Sequence, residues 1–117
     1  MTTTSTDLVQ QYLDIWNERD RAARDTAIVA VMTEDSTYSD PDYAAVHGHA
    51  ALSDVIGTAH EKFGDLVFTL GETLGSHHDT TLITWRLGAP GSAEAVATGY
   101  DVIDFAGDRI RRVVGYF

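Results

Sequence analysis

Two aspartates and a tyrosine stand where their side chains could do chemistry. In ATGYDVIDF (97–105), Ala97, Gly99, Asp101, Ile103 and Phe105 alternate onto one face of a strand, and Asp101 is the one acid among apolar or small neighbours. A carboxyl buried there would have its pKa raised, because desolvation penalises the charged form, and the protonated acid could donate a hydrogen bond. A register one residue off would instead send Asp101 to solvent and turn Tyr100 and Val102 inward. Asp40 precedes Pro41 at the end of a short strand, where its backbone is restrained and its side chain could enter a cleft as a positioned base. The same Asp-Pro pair could simply start a turn. Tyr12 and Trp16 lie one helical turn apart on an apolar stripe, either as core packing or with the tyrosine hydroxyl turned to a ligand.

The elements around these residues follow from periodicity. Thr6 and Asp7 cap a first helix running to about Arg19, with Leu8, Val9, Tyr12, Leu13 and Trp16 on its apolar side. A second helix is expected over Ala22–Met32 and a third over Ala50–Phe63, the latter stopped by Gly64. Between them we expect a short strand, Ser36–Ser39, and a loop to Gly48. The period then changes to two, which predicts strands over Leu66–Leu74, Thr80–Leu87, Ala93–Phe105 and Arg109–Phe117, joined as an antiparallel meander. Helices first and strands after, in one domain spanning 1–117, make the fold class α+β.

Composition narrows the function. Eighteen acids against eight bases give a net charge of −10, which argues against the basic face that nucleic acids and anionic membranes require. There is no cysteine, so disulfides and thiolate catalysis are excluded. MTTTSTD carries neither a basic segment nor an apolar run, so we expect no signal peptide and a cytoplasmic protein. His47 and His49, and the His77-His78-Asp79 run, match no zinc spacing, so no metal is expected. No phosphate-binding glycine loop or serine elbow is present.

The order of elements, with SDP after the second helix, His-Gly entering the third, and GYDVIDF followed by GDRI, resembles the NTF2-like superfamily and its SnoaL-like, ketosteroid isomerase-like branch. The resemblance implies a cone, with three N-terminal helices packed in a strongly curved antiparallel sheet around an apolar pocket. It implies Asp40 as the proton-shuttling base, Tyr12 as the oxyanion donor and Asp101 as a neutral second donor, or as the acid/base of a cyclase. A carboxylic acid kept neutral in this way is the known behaviour of ketosteroid isomerase itself. The pocket is expected to be lined by Trp16, Met32, Val55, Ile56, Phe63, Trp85, Gly99 and Tyr116. Met32 and Ile56 stand where those isomerases carry supporting tyrosines, and Gly115 where epoxide-hydrolase relatives carry an aspartate, so that last activity is not expected. The expected function is cofactor-independent proton transfer on an apolar carbonyl compound, as isomerase or polyketide cyclase. The alternative is a non-catalytic ligand-binding or dimeric accessory protein. A homodimer through the outer sheet face is expected in either case, with Tyr100, Val102 and Val113 as contacts.

Overall fold

The computed structural model describes residues 5–117, so the first four residues of MTTTSTD lie outside it. Helix α1 (Ser5–Asn17) buries Leu8, Val9, Tyr12, Leu13, Ile15 and Trp16. It ends two residues before Arg19, at Asn17, whose side chain pairs with the strand that carries Phe68. Its amide donates to the Phe68 carbonyl and its oxygen accepts from the Phe68 N–H, both at 2.8 Å. Helix α2 (Arg21–Val31) starts one residue earlier than expected, since Asp20 caps it by accepting from the Ala23 N–H at 2.9 Å. Helix α3 (His49–Phe63) is bracketed by Gly48 (φ 81°) and Gly64 (φ 61°), left-handed positions that glycine fills without strain.

Six strands complete the fold: β1 (Met32–Asp40), β2 (Tyr43–His47), β3 (Val67–His77), β4 (Thr80–Gly88), β5 (Ala97–Ala106) and β6 (Arg109–Tyr116). They form one curved, unclosed sheet in the order β2-β1-β6-β5-β4-β3. Strand β2 replaces part of the loop expected before Gly48. Its side chains are mostly exposed, so the alternation that reveals a half-buried strand is missing from the sequence. Strand β1 begins at Met32, which therefore belongs to the sheet and not to α2. Strand β5 starts at Ala97, four residues later than expected. The expectation of a wholly antiparallel sheet is also corrected, because β1 docks on β6 in parallel while every other pairing is antiparallel.

Curvature comes from irregular pairing. Strand β3 shifts register against β4 twice, between Leu70 and Thr73 and between Thr73 and Gly75. Such bulges bend a strand and increase its twist. At the first bulge Gly71 lies so close to β4 that a methyl group there would come within 2.2 Å of Thr84 Oγ1. The β5–β6 register slips between Asp104 and Phe105, leaving Arg111 as the extra residue on β6. That slip reverses the facing of the remainder of β6. Val113 is fully buried and Val114 faces outward, which corrects Val113 as an outer contact. The inner face and the helices enclose a core that includes Ile28, Ile56, Ile83, Ile103, Ile110 and Val113, all 0% exposed.

Candidate active site

Asp101 sits on the inner face of β5, opposite Ile83 of β4 and Gly115 of β6. It is buried, and its Oδ1 accepts a hydrogen bond from the Trp85 indole N–H at 3.2 Å. Burial pushes the Asp101 carboxyl up to about 7; the Trp85 hydrogen bond opposes this, and the charge of Asp40 adds to it. Strands β5 and β1 bring the two acids toward a single spot, which Gly115 leaves open. A methyl group on Gly115 would lie 3.1 Å from Asp101 Oδ1 and 3.5 Å from Asp40 Cβ.

Asp40 ends β1 and is fixed through both oxygens. Oδ1 accepts from the backbone N–H groups of Asp42 and Tyr43 at 2.8 and 2.9 Å, which closes the turn into β2. Oδ2 accepts from the Tyr38 hydroxyl at 2.5 Å. Turn initiation and cleft-facing placement, posed as alternatives in the sequence, are therefore met by different oxygens of one carboxylate. Tyr38 was missed, although it lies two residues before Asp40 and period-two alternation puts both on one face.

Tyr12 reaches the same place from α1. Its ring is 1% exposed, and its hydroxyl is buried without a hydrogen-bond partner. Burial and the nearby Asp101 carboxyl hold the phenol well above its ordinary value, and the Trp16 indole opposes this without completing a hydrogen bond. The hydroxyl therefore stays protonated and is free to donate.

Tyr12, Asp40 and Asp101 all line one cavity of about 160 Å³. Trp16, Val55, Phe63 and Trp85 line it as well. Four other expected pocket residues do not. Met32 and Ile56 are 1% and 0% exposed within the solid core, because β1 begins at Met32 and α3 turns Ile56 away from the opening. Gly99 lies beneath Trp85, where a methyl group would come within 2.2 Å of the indole, so it seats a wall residue without being one. Tyr116 is 56% exposed on the outer face. Phe68, Lys62 and Phe117 also line the cavity and were missed. The sheet's curvature brings in Phe68 and Phe117, which no local spacing encodes, whereas Lys62 lies on α3 at helical spacing from Val55 and Thr58 and could have been read from that face.

The histidines are used elsewhere. The His60 Nε2–H bonds the Trp16 carbonyl at 2.6 Å, and His49 Nε2 lies 3.0 and 2.9 Å from the Met32 and Thr33 carbonyls. Among the described residues no three His, Cys, Asp or Glu side chains gather as a metal site.

Asp101 gives stability a definite pH dependence. Its pKa is about 7 in the fold against 3.8 for a free aspartate, so between those values the folded state holds a proton that the unfolded chain has lost. The stability it contributes is full below about 3.8 and is lost as the pH rises through about 7. Urea midpoints measured from about pH 4 to 8 should fall more steeply for the native protein than for Asp101→Asn. Parallel curves would mean that Asp101 titrates normally.

A helix-lined curved sheet with an acidic, aromatic cavity defines a class, and the comparisons place the chain within it. The SnoaL-like domain model matches residues 9–113. A candidate isomerase of the SnoaL-like family from Agrobacterium tumefaciens is 32% identical, with 95% of this chain and 94% of that one covered at a TM-score of 0.85. The chain belongs to the SnoaL-like family and has its NTF2-like fold. At 17% identity, a candidate polyketide cyclase from Sinorhizobium meliloti superposes over 93% of both chains with a TM-score of 0.73. A protein of ketosteroid isomerase-like fold from Catenulispora acidiphila, solved with trimethylamine, is 18% identical and covers 97% of this chain and 87% of that one at a TM-score of 0.77. Among curated proteins there is no match.

Proposed function

We propose that the cavity carries out cofactor-independent proton transfer on a compact carbonyl compound. The observation that carries this reading is the meeting of Tyr12, Asp40 and Asp101, from α1, β1 and β5, in one cavity. Asp40 Oδ2 takes the proton alpha to the carbonyl, and the electron pair left on carbon moves into the enolate. The Tyr12 hydroxyl, which has no hydrogen-bond partner among the described residues, donates to the developing oxygen. Below about pH 7 the Asp101 carboxyl keeps its own proton and adds a second donor. Asp40 then returns its proton at a different carbon, completing an isomerisation; in an aldol-type ring closure the enolate carbon instead attacks a second carbonyl of the substrate, and Asp40 delivers its proton to the alkoxide oxygen so formed.

The cavity volume limits the substrate. About 160 Å³ is below the roughly 300–1,000 Å³ typical of pockets for drug-sized ligands, so a small ketone suits it better than a polycyclic one. Incubating the native protein with small β,γ-unsaturated ketones and following ultraviolet absorbance of the conjugated product tests the reading. Rates no faster than buffer across such a set would favour a binding protein without catalysis.

We also propose that two copies pair through the outer sheet face. Tyr100 and Tyr116 are cross-strand partners there, 50% and 56% exposed, with the Val102–Val114 pair next to them. Analytical ultracentrifugation should give a dimer for the native chain and a monomer for Tyr100→Glu. A native monomer at tens of micromolar would refute the pairing.

A further inference from the structure

The cavity combines two features that a neutral hydrocarbon ligand does not need. The first is a chain of aromatic rings. Trp16 lies 5.4 Å from Tyr38 and 5.6 Å from Phe68 between centroids, and Phe68 lies 5.5 Å from Trp85. The ring planes meet at 50° to 75°, so they form adjoining walls and not a stack. The second is a group of acids with no basic partner. Asp40, Asp42 and Asp101 all line the cavity, while no Lys, Arg or His among the described residues forms an ion pair with any of the three. Lys62 is the one basic side chain lining the cavity, and it is exposed with its ammonium already over the Phe63 ring at 5.3 Å.

Buried carboxyls in an apolar cavity carry a desolvation cost that is offset by protonation, by donors or by a counter-charge. Asp101 has a single donor, Trp85, and a carboxylate can accept about four hydrogen bonds. Asp40 has three, and its Oδ2 keeps unused acceptor capacity. A cation in the cavity would satisfy both acids, and aromatic faces attract it through their quadrupoles, most strongly where water is excluded.

We propose that the natural ligand bears a methylated ammonium group, seated among the Trp16, Tyr38 and Trp85 rings and balanced by the Asp40 and Asp101 carboxyls. This rests on reading the cavity as the ligand site and names the class of compound it takes: a small carbonyl compound carrying a cationic amine. With the cation bound, Asp101 gives up its proton and serves as the counter-charge, so that Tyr12 alone faces the carbonyl oxygen. Affinity is therefore linked to pH. The other titratable groups lining the cavity with Asp101 are Tyr12 on α1, Tyr38 and Asp40 on β1, Asp42 in the turn, Tyr43 on β2 and Lys62 on α3, and among the described residues no histidine lines it.

The test compares choline with 3,3-dimethyl-1-butanol, a neutral molecule of the same shape, by NMR titration of the full chain. Choline should bind at least about tenfold more tightly and shift the indole resonances of Trp16 and Trp85. Its affinity should rise from about pH 6 to 8, although its own charge is constant, and Asp101→Asn should flatten that rise and weaken binding. Asparagine keeps the oxygen that accepts from Trp85, and the two-ligand comparison needs no variant. Equal affinity for the neutral analogue, or binding of neither, would overturn the proposal. Ketone turnover with no preference for charge would remove this inference alone. Selective choline binding without any ketone turnover would remove the proton-transfer reading and leave the ammonium site standing.

Discussion

Asp40→Asn is expected to lower turnover of a small β,γ-unsaturated ketone by about 10²–10⁴-fold, the usual worth of a positioned general base. The fold should survive the change. Asparagine keeps the Oδ1 that accepts from the Asp42 and Tyr43 N–H groups, so the turn between β1 and β2 still closes. Its Nδ2 can donate to the Tyr38 oxygen where Oδ2 had accepted from it, so the Tyr38 contact is retained with reversed polarity. What is lost is the ability to take a proton. Circular dichroism and thermal midpoint should match the native protein, and the absorbance assay should show the deficit. Turnover within a few-fold of native would remove Asp40 as the base.

Tyr12→Phe should separate activity from stability in the opposite sense to most core substitutions. The Tyr12 hydroxyl is buried with no partner, a state that costs about 1–3 kcal/mol for a polar group. Deleting it leaves the ring to keep its packing against Trp16, 6.5 Å away between centroids. The thermal midpoint should therefore hold or rise. Turnover should fall by about 10²–10³-fold, as when one oxyanion donor is removed. A protein that loses stability and keeps its rate would show that the hydroxyl serves the fold and not the reaction.

The legible parts of this chain were those with a local cause. A 3.6-residue stripe announced α1 and α3. Alternation placed Asp101 on the face of Gly99 and Ile103, and the strand pairing agrees with that face. Element boundaries drifted where a side chain intervened: Asn17 at the end of α1 bonds Phe68, and Asp20 starts α2. Strand β2 was invisible because most of its side chains face solvent.

By itself, then, the sequence determined the α+β order and the inward face of β5, because each depends on neighbours a few positions apart. Only the tertiary structure decided which side chains share a cavity. It brought Tyr38 onto Asp40 Oδ2, put Trp85 on Asp101 and opened space at Gly115, while Met32 and Ile56 went to the core and Val113 turned inward. Those outcomes depend on bulges and on the parallel docking of β1 against β6, in which residues more than seventy positions apart become neighbours. Periodicity registers faces along a single strand. It carries no information about how far the sheet bends, and the bend is what closes the cavity.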